Sequence, residues 1–237
     1  MQDLENTGKK KLTKIRWLLL IDAAITAILL LILLILLRHT PVAYHPQAGF
    51  EKQLSPYLTH QLMPQFYNGM QKREPFELII DQKGLNEAIA SFGWPKMYAN
   101  GLIISTPAVI FEPNRLQLMA NVNLKGFDTV VAVKICPQFD ANGLLIMNVE
   151  KMQIGALGVT YIAKMMAKKM FDEQIGSVEA DNIASLALAS AMTGRPFVPA
   201  FKADGKKAKI DNVILKNETL KIHITPIGKA AEETQKR

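Results

Sequence analysis

The chain has 237 residues, with 28 Lys plus Arg against 21 Asp plus Glu, a net charge of +7 and one cysteine. Six of the bases and three of the acids fall in residues 1–38; the 22 bases and 18 acids that remain are too balanced and dispersed to argue for nucleic acid. Cys136 alone excludes an internal disulfide, so stability must come from packing, and about 200 residues suffice for one sizeable core.

Residues 1–16 form a basic tail containing Lys9, Lys10, Lys11, Lys14 and Arg16. The run 17–37, WLLLIDAAITAILLLILLILL, is apolar apart from Asp22 and Thr26. At about 1.5 Å per residue it makes a helix roughly 30 Å long, the thickness of a bilayer core. After it, Arg38 is the last base until Lys52, so the charge asymmetry predicts a cytoplasmic N-terminus and an extracellular C-terminal domain. A cleaved signal peptide is disfavoured, because the apolar core is too long and Pro41-Val42-Ala43 is a weak cleavage site. The expectation is an uncleaved, single-pass signal-anchor. Asp22 lies about 8 Å along the axis from Trp17, near enough to the interface to reach water; pairing with another membrane protein is the alternative.

Residues 38–74, with Pro41, Pro46, Gly49 and Pro56, read as a stalk with a short helix. Leu54, Leu58, Leu62 and Phe66 recur at helical spacing, but Pro56 and Pro64 limit that helix to about two turns. The exported domain is expected over 75–228. It opens with a strand at 76–80 and a helix capped by Asp81, whose Leu85, Ala88, Ile89 and Phe92 share one face. Short strands follow at 102–105 and 108–112. In 116–124, Leu116, Leu118, Ala120, Val122 and Leu124 alternate with Gln117, Met119, Asn121 and Asn123, predicting one dry and one wet face. Further strands at 127–136 and 144–154 complete an antiparallel meander. Beyond Gly155 and Gly158, the stripe Val159, Ile162, Ala163, Met166, Met170 and Phe171 predicts a helix lying as a lid on the sheet. A second apolar helix spans 184–192, ending at Gly194. A basic loop with Gly205, Lys206 and Lys207 precedes a final hairpin turning at Asn217-Glu218, and residues 229–237 are a polar tail. The fold class is therefore α+β: a transmembrane helix, then one domain in which a curved antiparallel sheet is covered by amphipathic helices.

The runs NLKGFDTVVAVKICPQFDANGLLIMNVEKMQIGALGVTYIAKMM and KIDNVILKNETLKIHITP resemble the YpmS-like family of single-span, outward-facing proteins of Gram-positive bacteria. Family members typically carry a proline two or three residues after the Gly-x-Leu that follows the long strand; Gly155-Ala156-Leu157 is followed here by Gly158-Val159-Thr160. The resemblance implies this topology and envelope residence; the family has no assigned biochemical activity, so it implies no mechanism.

Catalytic patterns are missing: no G-x-S-x-G, H-E-x-x-H, phosphate-cradling glycine loop or C-x-x-C occurs. His39, His45, His60 and His223 lack a second ligand at metal spacing, and Asp128 and Asp140 read as solvent-face and turn residues. The Lys206, Lys207 and Lys209 group reads as a solvated loop, with contact to anionic lipid or envelope polymer as the alternative. The methionines stand out. Methionine adapts to apolar ligands of variable shape, which makes Ile162, Met165, Met166, Met170, Met147 and Met119 candidate apolar-ligand contacts; ordinary core filling is the plainer explanation. The expectation is a non-enzymatic envelope protein, without metal or cofactor, holding a lipid or lipid-linked molecule between sheet and helix. The alternative is an interaction or scaffold protein of a membrane complex with no small-molecule ligand.

Overall fold

The computed structural model describes residues 2–47, 54–72, 74–98, 101–166 and 182–227. Helix α1 (Gln2–Arg38) contains the one described segment, Trp17–Arg38, that is long and apolar enough to cross a membrane, and none of that segment is buried in the protein. The chain is thus a membrane-anchored protein with a separate β-rich domain. That domain contains α2 (Met63–Lys72), β1 (Phe76–Asp81), α3 (Gln82–Ala90), β2 (Lys96–Met97), β3 (Leu102–Ile104), β4 (Ala108–Glu112), β5 (Arg115–Leu124), β6 (Phe127–Phe139) and β7 (Leu145–Ile154). After β8 (Leu157–Gly158) come α4, described over 160–166, α5 (Ile183–Thr193), β9 (Ala200–Ala203), β10 (Lys206–Lys216) and β11 (Thr219–Ile227).

The strands form two sheets where one was expected. The long meander β5-β6-β7 is present in the predicted order, each strand antiparallel to the next, within a seven-stranded sheet ordered β2-β3-β5-β6-β7-β8 with β4 also paired to β5. The second sheet has four strands in the order β1-β11-β10-β9. The first predicted strand therefore joins the C-terminal hairpin and not the meander: Phe76 lies opposite Ile224 and Asp81 opposite Thr219. The expected basic loop is a correction of the same kind. Asp204 and Gly205, at φ 55° and 76°, make a tight turn, and Lys206, Lys207 and Lys209 belong to β10.

The larger core forms between the four-stranded sheet and helices α2 and α3. Met70, Leu78, Ile80, Ala208, Leu215 and Ile224 are buried there together with Val109 and Phe111 of β4. Two backbone bonds tie the sheets at this end, from Asn114 N–H to the Leu215 carbonyl (3.1 Å) and from Glu218 N–H to the Phe111 carbonyl (3.3 Å). Cys136 is buried beside the same turn, its thiol 3.0 Å from the Asn114 carbonyl, as a small structural hydrophobe.

The segment 38–74 is not a free stalk. Ser55 and Met70 are buried, Tyr57 Oη accepts from Asp81 N–H at 2.9 Å, and Tyr44 packs on the meander. Its helix is also longer than the prolines suggested, because a π-helical turn at Leu58–Leu62, closed by Met63 N–H to the Leu58 carbonyl, runs directly into α2 and its widened hydrogen-bond ladder accommodates Pro64, which has no N–H to donate. The lid is a further correction. In α4, Ile162 and Met166 are 55% and 57% exposed; α5 is the helix that packs along β7, where Ser190 Oγ accepts from Met147 N–H at 2.9 Å. Helical periodicity shows that a stripe is apolar, not which surface it meets.

Strand β4 is short and one of its edges has no strand partner, and α3 supplies the missing hydrogen bonds. Asn86 donates from Nδ2 to the Val109 carbonyl at 2.8 Å and accepts from Val109 N–H at 2.7 Å, and Gln82 Oε1 accepts from Phe111 N–H at 2.6 Å. A side-chain amide here imitates a neighbouring strand and closes an edge that would otherwise pair with another chain. Asn86→Ala leaves a buried N–H and a buried carbonyl without partners, so thermal unfolding of the full chain in detergent should show a loss of about 2–4 kcal/mol. A loss near zero would mean that water or a shifted helix replaces the amide.

Candidate functional site

The register of the meander sorts its side chains into two faces. Leu116, Leu118, Ala120, Val122 and Leu124 of β5 lie opposite Ile135, Val133, Val131, Thr129 and Phe127 of β6, and Met152 and Ile154 of β7 continue the row beside Val133 and Val131. This is the face that alternation predicted to be dry. At its far end, Leu116 packs into the larger core with Val109 and Phe111. Elsewhere it is half open: Leu118 is 39% and Leu124 49% exposed, and Ala120, Val122, Val131, Val133, Met152 and Ile154 are only partly covered.

On the opposite face burial is deepest around Met119, while Asn123 and Asp128 at the turn end stay accessible. Met119 is 1% exposed, with Val130 and Ala132 buried next to it and Tyr44 and Ile110 packed over them. The Tyr44 hydroxyl donates to the Thr106 carbonyl at 2.9 Å and accepts from Asn121 N–H at 3.1 Å. Burial pushes the Tyr44 phenol above its ordinary range, partly offset by the bond from the Asn121 backbone, so it stays neutral and able to donate. Asn121 Oδ1, on the same face, is buried without a partner. The segment after the membrane helix thus covers the more polar face and leaves the more apolar one accessible.

The open face starts where α1 ends. Carbonyls of a helix's last turn have no partner within the helix. Here the domain supplies partners: Ala156 N–H donates to the Leu36 carbonyl at 2.8 Å, and Thr129 Oγ1 donates to the Leu37 carbonyl at 2.6 Å. Gly155 has φ +59°, and a Cβ there would collide with the Leu36 and Leu37 carbonyls, so only glycine allows this approach. The Arg38 guanidinium sits over the Phe127 ring, 5.5 Å from its centroid. Phe127 also shares an open concavity of about 640 Å³ with Leu31, Leu34 and Ile35 on the helix and Arg38, His39 and Thr40 at its rim.

The six sequence candidates do not converge. Met147 lies on the open face, opposite Pro137; Met119 is on the other face under Tyr44; Ile162, Met165 and Met166 are exposed on α4; Met170 lies outside the described residues. The residues that build the junction, Tyr44, Phe127, Thr129 and Gly155, were absent from that set. Gly155 carried a faint signal as a glycine closing a long strand, whereas nothing local marked Tyr44. Among the described residues, no group of three or more His, Cys, Asp or Glu is placed to hold a metal ion.

The junction can be tested through one amide. Gly155→Ala should expose Ala156 N–H, raising its hydrogen exchange at least about tenfold for each 1.4 kcal/mol of docking free energy lost. Thr129→Val, which removes only a hydroxyl, should cost about 1 kcal/mol. Unchanged exchange at Ala156 in both variants would show that the helix end is not held by the sheet. No protein-family model matches this chain, and no characterised protein matches it at a significant level.

Proposed function

We propose that this is a single-span, extracytoplasmic cell-envelope protein without catalytic activity that holds a lipid or other apolar ligand on the open face of its seven-stranded sheet. One observation carries this reading: the more apolar face of the meander is the less buried one, and it runs without interruption from the closed core at Leu116 to the end of the membrane helix at Leu37. A partly exposed aliphatic face is costly in water, and a ligand with an acyl chain would remove the rest of it from water. The methionines that support the reading are Met147 and Met152 on this face, not the exposed pair on α4. The extracytoplasmic orientation rests on the charge asymmetry about the span, and membership of the YpmS-like family rests on the wording of residues 123–166 and 209–226.

Two measurements test it. The full chain, extracted from membranes in mild detergent, should retain lipid in native mass spectrometry; Val133→Trp should reduce that retention severalfold with little change in melting temperature, whereas Ile79→Trp on the exposed side of β1 should not. If the face is a filled core, Val133→Trp overpacks it at a cost of about 1–3 kcal/mol and the unmutated chain carries no lipid; the scaffold reading then replaces this one. A reporter fused after Arg237 should be active only when exported, and cytoplasmic activity would reverse the orientation.

A further inference from the structure

We infer that the β5–β6 turn and the adjoining Met97 and Tyr98 at the end of β2 form a wedge inserted into the leaflet that the membrane helix exits, so that the open sheet face receives its ligand sideways from the bilayer. The tip is placed by register. Leu124 and Phe127 flank a two-residue turn in which Lys125 and Gly126 have φ 52° and 88°. Leu102 of β3 lies opposite Leu124, and Tyr98 N–H donates to the Leu102 carbonyl at 2.8 Å, which brings Met97 and Tyr98 to the same end of the sheet. Met97 is 79% and Tyr98 50% exposed, and Leu124 is half exposed beside them.

This end is not free to stand clear of the bilayer. Phe127 shares its concavity with Leu34 and Leu31, four and seven residues before Arg38, which lie about 6 and 10 Å back along the helix axis. A ring alongside those residues sits at the boundary between headgroups and acyl chains when the helix spans the membrane. The neighbouring charges suit that depth. Arg38, Lys96 and Lys125 carry cations at the tip, against one carboxylate, Asp128, which accepts from Asn123 Nδ2 at 2.9 Å. Lys96 Nζ lies 4.8 Å from the centroid of Trp94, whose indole N–H donates to the Ile89 carbonyl at 2.8 Å. Exposed Leu, Met and Tyr ringed by bases is the composition of a surface that buries its apolar part among acyl chains and leaves its cations at the phosphates. The occupant is the lipid leaflet itself, because the surface continues the one already formed by the membrane helix. The wedge does not depend on the sheet face holding a ligand; only the sideways entry does.

The experiment uses the full chain in vesicles of phosphatidylcholine and phosphatidylglycerol. In a Trp17→Phe, Trp94→Phe background, Leu124→Trp provides the only indole, and Met97→Trp is a second reporter should the first disturb the turn. Lipids brominated at shallow acyl positions should quench both reporters severalfold more than an Ile79→Trp reporter on the four-stranded sheet, and their emission should be blue-shifted. Reporters at 124 and 97 that are unquenched and accessible to a water-soluble quencher, in chains with unchanged circular dichroism, would overturn the wedge. Quenching at the tip in a chain that retains no lipid would leave the wedge standing and reject only the ligand on the sheet face.

Discussion

The carbonyls at the end of the membrane helix are the constraint on which the rest of the molecule depends. They emerge where the bilayer gives way to water and need donors that the helix does not contain. Thr129 and Ala156 provide those donors, and Gly155 is small enough to let the two backbones meet. A helix merely joined to its domain by a flexible stalk would satisfy the same carbonyls with water and leave the domain free to turn. In this arrangement the start of β6 and the turn after β7 are seated on the last turn of the helix, and the direction of the meander relative to the helix follows from that contact.

Seating the sheet this way also decides which of its faces is covered. The chain leaves the helix beside Phe127 and Thr129 and reaches the other face at Tyr44, whose ring covers Met119, Val130 and Ala132. The connecting segment therefore covers Met119, Val130 and Ala132 next to Asn121 on the more polar face, and the aliphatic face stays partly exposed. Satisfying the helix end and covering the polar face leave the apolar face partly exposed as the residue of two other requirements.

Stability is concentrated at the opposite end. The four-stranded sheet, α2 and α3 enclose the larger core, and Asn86 closes the edge of β4 that would otherwise offer its backbone to a neighbour. The membrane-proximal half of the meander contributes little to that core. This division, a closed body away from the membrane and a less filled sheet next to it, separates the part that maintains the fold from the part available for binding.

The sequence by itself determined what depends on neighbours along the chain. Twenty-one residues of nearly unbroken apolarity specify a membrane helix, alternation in 116–124, looser in 127–136, specifies two paired strands, and Asp81 specifies a helix start, its carboxylate accepting from Gly84 N–H at 2.8 Å. Tertiary structure decided what depends on residues far apart. Alternation separates two faces without saying which is covered, because that depended on where Tyr44 lands, 77 residues from its partner Asn121. The described part of the α4 stripe, Ile162 and Met166, has the period of a buried face and is exposed, while α5 occupies the flank of β7. Pairing of β1 with β11 divided one expected sheet into two, a choice invisible to any local pattern. The candidate site was legible only as an excess of apolar side chains; its position, at the junction of sheet and membrane helix, came from contacts that span 92 residues of chain between Leu37 and Thr129.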